Sequence, residues 1–116
     1  MIKNLLFVTI LAAASCNDPL PDIECNTDEE GTPSWLDEKI EQMHRADMQQ
    51  AEVYTYKYKS ETVIMINACV DCADSMTLVY NCAGTEICKF GGIAGFNTCP
   101  DFEATATDRK LYWKNY

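Results

Sequence analysis

The sequence predicts an α+β domain: an N-terminal helix packed on a small antiparallel sheet of four to five strands, stapled by disulfides. Three observations carry this. The stretch "TPSWLDEKIEQM" repeats its apolar residues at helical spacing. Several later stretches, "VYTYKYK" first among them, alternate with a period of two. Seven cysteines stand in 116 residues, in a chain too short to gain much net stability from its core alone. A single helix followed by a run of strands with short connections places the helix on one face of an antiparallel sheet.

The chain opens with the layout of a bacterial export signal over residues 1–15. Lys3 supplies a short basic start, Leu5 to Ala14 is apolar apart from one Thr, and Ala13-Ala14-Ser15 precede Cys16. The apolar stretch is about half of the ~20 residues that span a bilayer, which argues against a transmembrane helix. Cleavage after Ala14 by an ordinary signal peptidase would leave an odd thiol outside the cytosol. Lipidation of Cys16, whose small preceding residues resemble the lipobox of bacterial lipoproteins, leaves six cysteines that can pair completely: Cys25, Cys69, Cys72, Cys82, Cys88 and Cys99. The sequence therefore predicts a diacyl or triacyl (palmitate-type) anchor on Cys16 and attachment to a membrane surface. Asn17 is not the Asp read as an inner-membrane retention signal, so the outer membrane is the expected site, on either its periplasmic or its outer face.

Residues 16–31 read as an acidic tether. Pro19, Pro21 and six acidic residues leave too few apolar side chains to fold. Cys25 interrupts the tether and implies that it is pinned back onto the domain. Residues 32–116 form that single domain. Its formal charge contributes to a chain net of −9, which excludes nucleic acid as a main partner and fits a solvated surface.

Within the domain, Thr32 or Ser34 can cap the helix, Pro33 suits its first turn, and Asp37 and Glu38 sit at the positive end of its dipole. Leu36, Ile40 and Met43, widened by Trp35, form the buried stripe. Val53 to Asn67 reads as a hairpin turning at Ser60-Glu61, with Tyr54, Tyr56 and Tyr58 on one face. "MTLVYN", "CAGT" and "EICKF" give a second hairpin with Gly84 in the turn. Gly91, Gly92 and Gly95 mark a loop, and "DRKLYWKNY" is a last strand burying Leu111 and Trp113.

The constellations that carry chemistry are thin. Cys69-x-x-Cys72 has no second close pair, so zinc is not expected and no metal or other cofactor is predicted. The same pair follows a β-rich run, and Asp71 and Asp74 oppose a thiolate, so an oxidoreductase dithiol is not expected either. The single His44 lies among charged residues on the exposed side of the helix. "GGIAG" lacks the Lys and following helix of a phosphate cradle. No catalytic residue is predicted. The six mature cysteines are expected in disulfides, with Cys69 and Cys72 each joined to one of Cys88 and Cys99, and Cys25 joined by subtraction to Cys82.

The order of these segments resembles a group of small exported bacterial domains, many of them lipoproteins, catalogued as a domain of unknown function. The features that match are "TPSWLDEKIEQM", "VYTYKYKSETVIMI", Cys69-Cys72, "VYNCAGTEIC", "GGIAG" and the Phe102…Trp113 strand. Members often carry a Cys in the opening helix, where this chain has Trp35. The resemblance implies the architecture and lends no activity. The sequence is thus read as a non-catalytic envelope lipoprotein. It would meet the membrane through its anchor and an envelope protein through the Tyr54/Tyr56/Tyr58 face, since exposed aromatics suit recognition. The second reading is a secreted inhibitor of a hydrolase, presenting the Gly91–Thr98 loop.

Overall fold

A computed structural model describes residues 23, 25, 32–45 and 50–116. The export signal, Cys16 and most of the tether lie outside the described residues. Helix α1 spans Ser34–Arg45 and helix α2 spans Phe102–Thr105. The strands are β1 (Glu52–Tyr58), β2 (Glu61–Asn67), β3 (Met76–Asn81), β4 (Glu86–Gly91), β5 (Phe96–Asn97) and β6 (Thr107–Lys114). They form one antiparallel sheet in the order β5-β4-β3-β2-β1-β6. The helix-then-strands architecture and the two hairpins match the expectation. The sheet has six strands rather than four to five, because the chain folds back through β5 after the glycine loop.

Two small cores sit on the two faces of the sheet. On one face α1 lays Leu36 and Met43 against Val53, Ile64, Ile66, Tyr80 and Tyr112, with Ile23 of the tether buried beside them. Full burial of a side chain such as Leu36 contributes about 1.5–3 kcal/mol. Pro33 ends the approach to α1, its carbonyl accepting from the Leu36 and Asp37 amides. The Thr32 hydroxyl is hydrogen-bonded to Tyr112. The Trp35 indole N–H donates to the Cys82 carbonyl at 2.9 Å, and its ring lies over Gly84 so closely that a Cβ there would stand 3.0 Å from it. Gly84 also has φ +86, so two separate constraints ask for glycine in this turn. On the other face Val63, Val79, Tyr58, Cys88, Cys99 and Phe102 form the second cluster.

Two details of register differ from the sequence reading. The β1–β2 turn is Lys59-Ser60, not Ser60-Glu61, with Tyr58 opposite Glu61. Both turn residues take positive φ, as a primed two-residue turn requires, although neither is Gly or Asn. This register sets Val53 opposite Ile66, where both are buried, instead of opposite Ala68 beyond the strand. In β6 the pairing shifts between Val53 and Tyr54, so Tyr112 is the extra residue of a bulge. Tyr112 is therefore buried, Leu111 is exposed and Trp113 is half-buried.

Candidate functional site

The tyrosine row is not an open surface. Tyr54, Tyr56 and Tyr58 do share one face, but α2 places Phe102 against it, 5.1 Å from both the Tyr56 and the Tyr58 rings. Tyr58 is only 5% exposed and donates its hydroxyl to Asp101 at 2.8 Å. Tyr54 lies under the Arg109 guanidinium, 4.2 Å from its ring centre. Burial pushes the Tyr56 phenol above its usual pKa, and the neighbouring Arg109 only partly offsets this. Tyr58 belongs to the core of the second face and Tyr56 packs against it, while Tyr54 is half-buried outside that cluster, so the row does not form a continuous exposed surface.

Three disulfides are formed among the described residues. Cys25 pairs with Cys82, as expected, at a Cα–Cα distance of 5.6 Å. The other two bridges correct the sequence reading: Cys69 joins Cys72 and Cys88 joins Cys99. The reason lies in the register. Cys88 faces the second core opposite Val79, and Val79 stands opposite Met65, four residues before Cys69. Two strand spacings and four residues of rise separate Cys69 from Cys88 by far more than the ~4.4–6.8 Å a bridge spans. Cys99, two residues beyond β5, returns to within 5.7 Å of Cys88. A tight turn in which the Cys72 amide donates to the Cys69 carbonyl brings those two Cα atoms to 5.4 Å.

The two corrected bridges brace the loops that meet at one end of the sheet, Cys69–Cys72 within the β2–β3 loop and Cys88–Cys99 from mid-β4 to the arm that returns from the β4–β5 turn. The β2–β3 loop carries Cys69–Cys72, with Val70 donating its amide to the Gln50 carbonyl at 2.8 Å. The β4–β5 turn carries Gly91, Gly92, Ile93 and Gly95. These loops abut, since the Gly92 amide donates to the Ser75 carbonyl at 3.2 Å. A Cβ on Gly91, at φ +115, would stand 2.9 Å from that same Ser75 oxygen, so only glycine allows the approach. The returning arm is fixed to β4: the Thr98 amide donates to the Lys89 carbonyl, and the Lys89 amide donates to the Thr98 hydroxyl.

On this rigid scaffold stand large apolar side chains in water. Ile93 is 84% exposed and Phe96 is 50% exposed, the latter under the Lys89 ammonium at 5.6 Å; Val70 is exposed as well. Asp71 and Asp74 are exposed on the β2–β3 loop. Sequence reasoning singled out the glycine loop but not Val70, Ile93 or Phe96. The available signal was Ile93 itself, a β-branched apolar residue between glycines with no partner at helical or strand spacing. His44 is exposed on α1. Among the described residues no group of three His, Cys, Asp or Glu side chains is placed to hold a metal ion. The arrangement leaves Val70, Ile93 and Phe96 open to solvent on braced loops.

A family model described as "Domain of unknown function (DUF6970)" matches residues 38–115, from within α1 to just past β6. No curated protein matches the chain, and no solved structure does.

Proposed function

The chain belongs to the DUF6970 family, and we propose that it acts as a lipid-anchored, exported, non-catalytic contact module of the cell envelope. The observation that carries the contact role is the stapled loop end, where Ile93 is held 84% exposed on a turn closed by Cys88–Cys99. Exposed apolar side chains on a rigid scaffold lose little entropy on binding, which is what an interaction surface needs. Export is supported by the cysteine tally: six of seven are bridged, and the remaining one is Cys16 beside the small residues of the lipobox.

Mass spectrometry of the membrane-extracted protein tests the anchor, with an acyl adduct on an N-terminal Cys16 expected and an N-terminal Ser15 contradicting it. Ile93→Asp tests the surface. A partner co-purifying with the wild type should be lost from this variant and kept by Tyr54→Ala, and the reverse pattern would contradict the assignment. The inhibitor reading gains one specific support, because Cys88–Cys99 brackets the loop it requires. Titration of the isolated protein against a panel of envelope hydrolases separates the two, since only an inhibitor would reduce turnover stoichiometrically.

A further inference from the structure

Exposed apolar side chains on loops have two possible uses in an anchored protein: they dip into the bilayer, or they meet another protein. The path of the tether decides between them. Cys82 lies in the β3–β4 turn, and its bridge to Cys25 fixes the tether at that end of the sheet. Ile23 is buried near the same end, lining a recess with Thr55, Lys57, Thr62 and Lys110. The β1–β2 turn at Lys59-Ser60 belongs to this end too. The stapled loops stand at the opposite end: from Cys82 back to Met76 the chain runs the whole of β3, six residues at about 3.3 Å each, or about 20 Å.

Seven residue steps separate Cys16 from Ile23. Fully extended they reach about 25 Å, and as a flexible chain their root-mean-square span is about 15 Å. A domain standing on its loop end would hold Ile23 about 20 Å above the lipid and require the tether to be stretched almost to its limit. A domain standing on its turn end needs no such extension. Exposed acids stand at both ends, Glu61 and Glu86 beside the turns and Asp71 and Asp74 beside Val70, so the length of the tether, and not charge, sets the orientation.

Resting on the lipid-anchor reading, we infer that the pinned tether turns the β1–β2 and β3–β4 turns toward the bilayer and presents the Val70/Ile93/Phe96 end away from it, to a protein partner with an apolar recess rimmed by basic residues. The test uses the full lipidated chain in phosphatidylethanolamine/phosphatidylglycerol vesicles. A fluorophore is installed as a non-canonical side chain at Ser60 or at Ile93, so that the cysteines stay paired, and a quencher is carried on the lipid headgroups. The Ser60 probe should be quenched about threefold or more above the Ile93 probe, given about 20 Å between the two ends. Inserting about 20 Gly/Ser residues after Asn17, which leaves the domain untouched, should remove most of that difference. Equal or stronger quenching at Ile93 overturns the inference in favour of bilayer insertion, and a difference unchanged by the insertion overturns the role of tether length. Failure of the anchor itself is read separately, as protein that does not float with the vesicles.

Discussion

The two ends of this sheet are stapled in different ways, and the difference separates holding the domain from using it. At the turn end one bridge of sequence separation 57 joins the tether to the β3–β4 turn, with Ile23 buried and Trp35 half-buried in the core cluster of the α1 face. A bridge of separation 3 closes the β2–β3 loop at the loop end, and one of separation 11, buried in mid-sheet, ties the arm returning from the β4–β5 turn to β4; the apolar side chains of these segments reach into water. A long-range bridge constrains much of the unfolded chain, whereas a local one mainly fixes the shape of its own loop. On the proposed reading the turn end serves stability and the loop end presentation.

Removing bridges should break this comparison most visibly. In the chain-entropy relation, Cys25→Ser/Cys82→Ser costs about 4 kcal/mol, Cys88→Ser/Cys99→Ser about 3 and Cys69→Ser/Cys72→Ser about 2. Urea unfolding of the three double variants checks the order, and a Cys69/Cys72 variant that is the least stable would contradict it. Next, Leu36→Ala, at the fully buried centre of the α1 face, should cost about 3 kcal/mol by the same measurement. Gly91→Ala should cost about 2 kcal/mol, since it adds a contact with the Ser75 oxygen to an unfavourable φ. Gly95→Ala, at φ +66 in open space, should cost about 1 kcal/mol. Equal losses at the two glycines would show that the loops do not abut.

Much of the first face was legible in the sequence, and little of the second. The Leu36/Ile40/Met43 stripe and the alternation of β1 are local patterns, and they give α1 and the hairpins directly. The cover over Tyr56 and Tyr58 is α2, four residues long, which carries no periodicity of its own. Strand β5 is two residues and exists only because β4 offers it an edge, so the return that brings Cys99 to Cys88 was invisible, and the pairing went wrong with it. Tyr112 replaced Leu111 in the core because a bulge is a property of two paired strands rather than of one. The loop end could be read only as a glycine loop, since its apolar display depends on which side chains the two abutting loops leave uncovered.

The alkaline limit sharpens the contrast between the faces on a smaller scale. The Tyr56 phenol has its pKa raised by burial in the folded chain, so its contribution to stability is intact below the ordinary tyrosine pKa of about 10 and is lost as pH rises through the higher folded value. Tyr56→Phe should flatten the fall in stability above about pH 10, measured by urea unfolding across that range; an unchanged slope would show that Tyr56 is not buried. Smallest of all, Ile93→Asp should shift stability by less than about 0.5 kcal/mol, as expected of a side chain that is 84% exposed.

That last variant leads to the measurement that tests the division of labour most directly. A photo-crosslinking side chain is placed at Ile93 in one strain and at Ser60 in another, and intact cells are irradiated. The account predicts a discrete protein adduct from Ile93 and none of the same mass from Ser60. The same adduct from both positions, or from Ser60 alone, would contradict the assignment of contact to the stapled loop end.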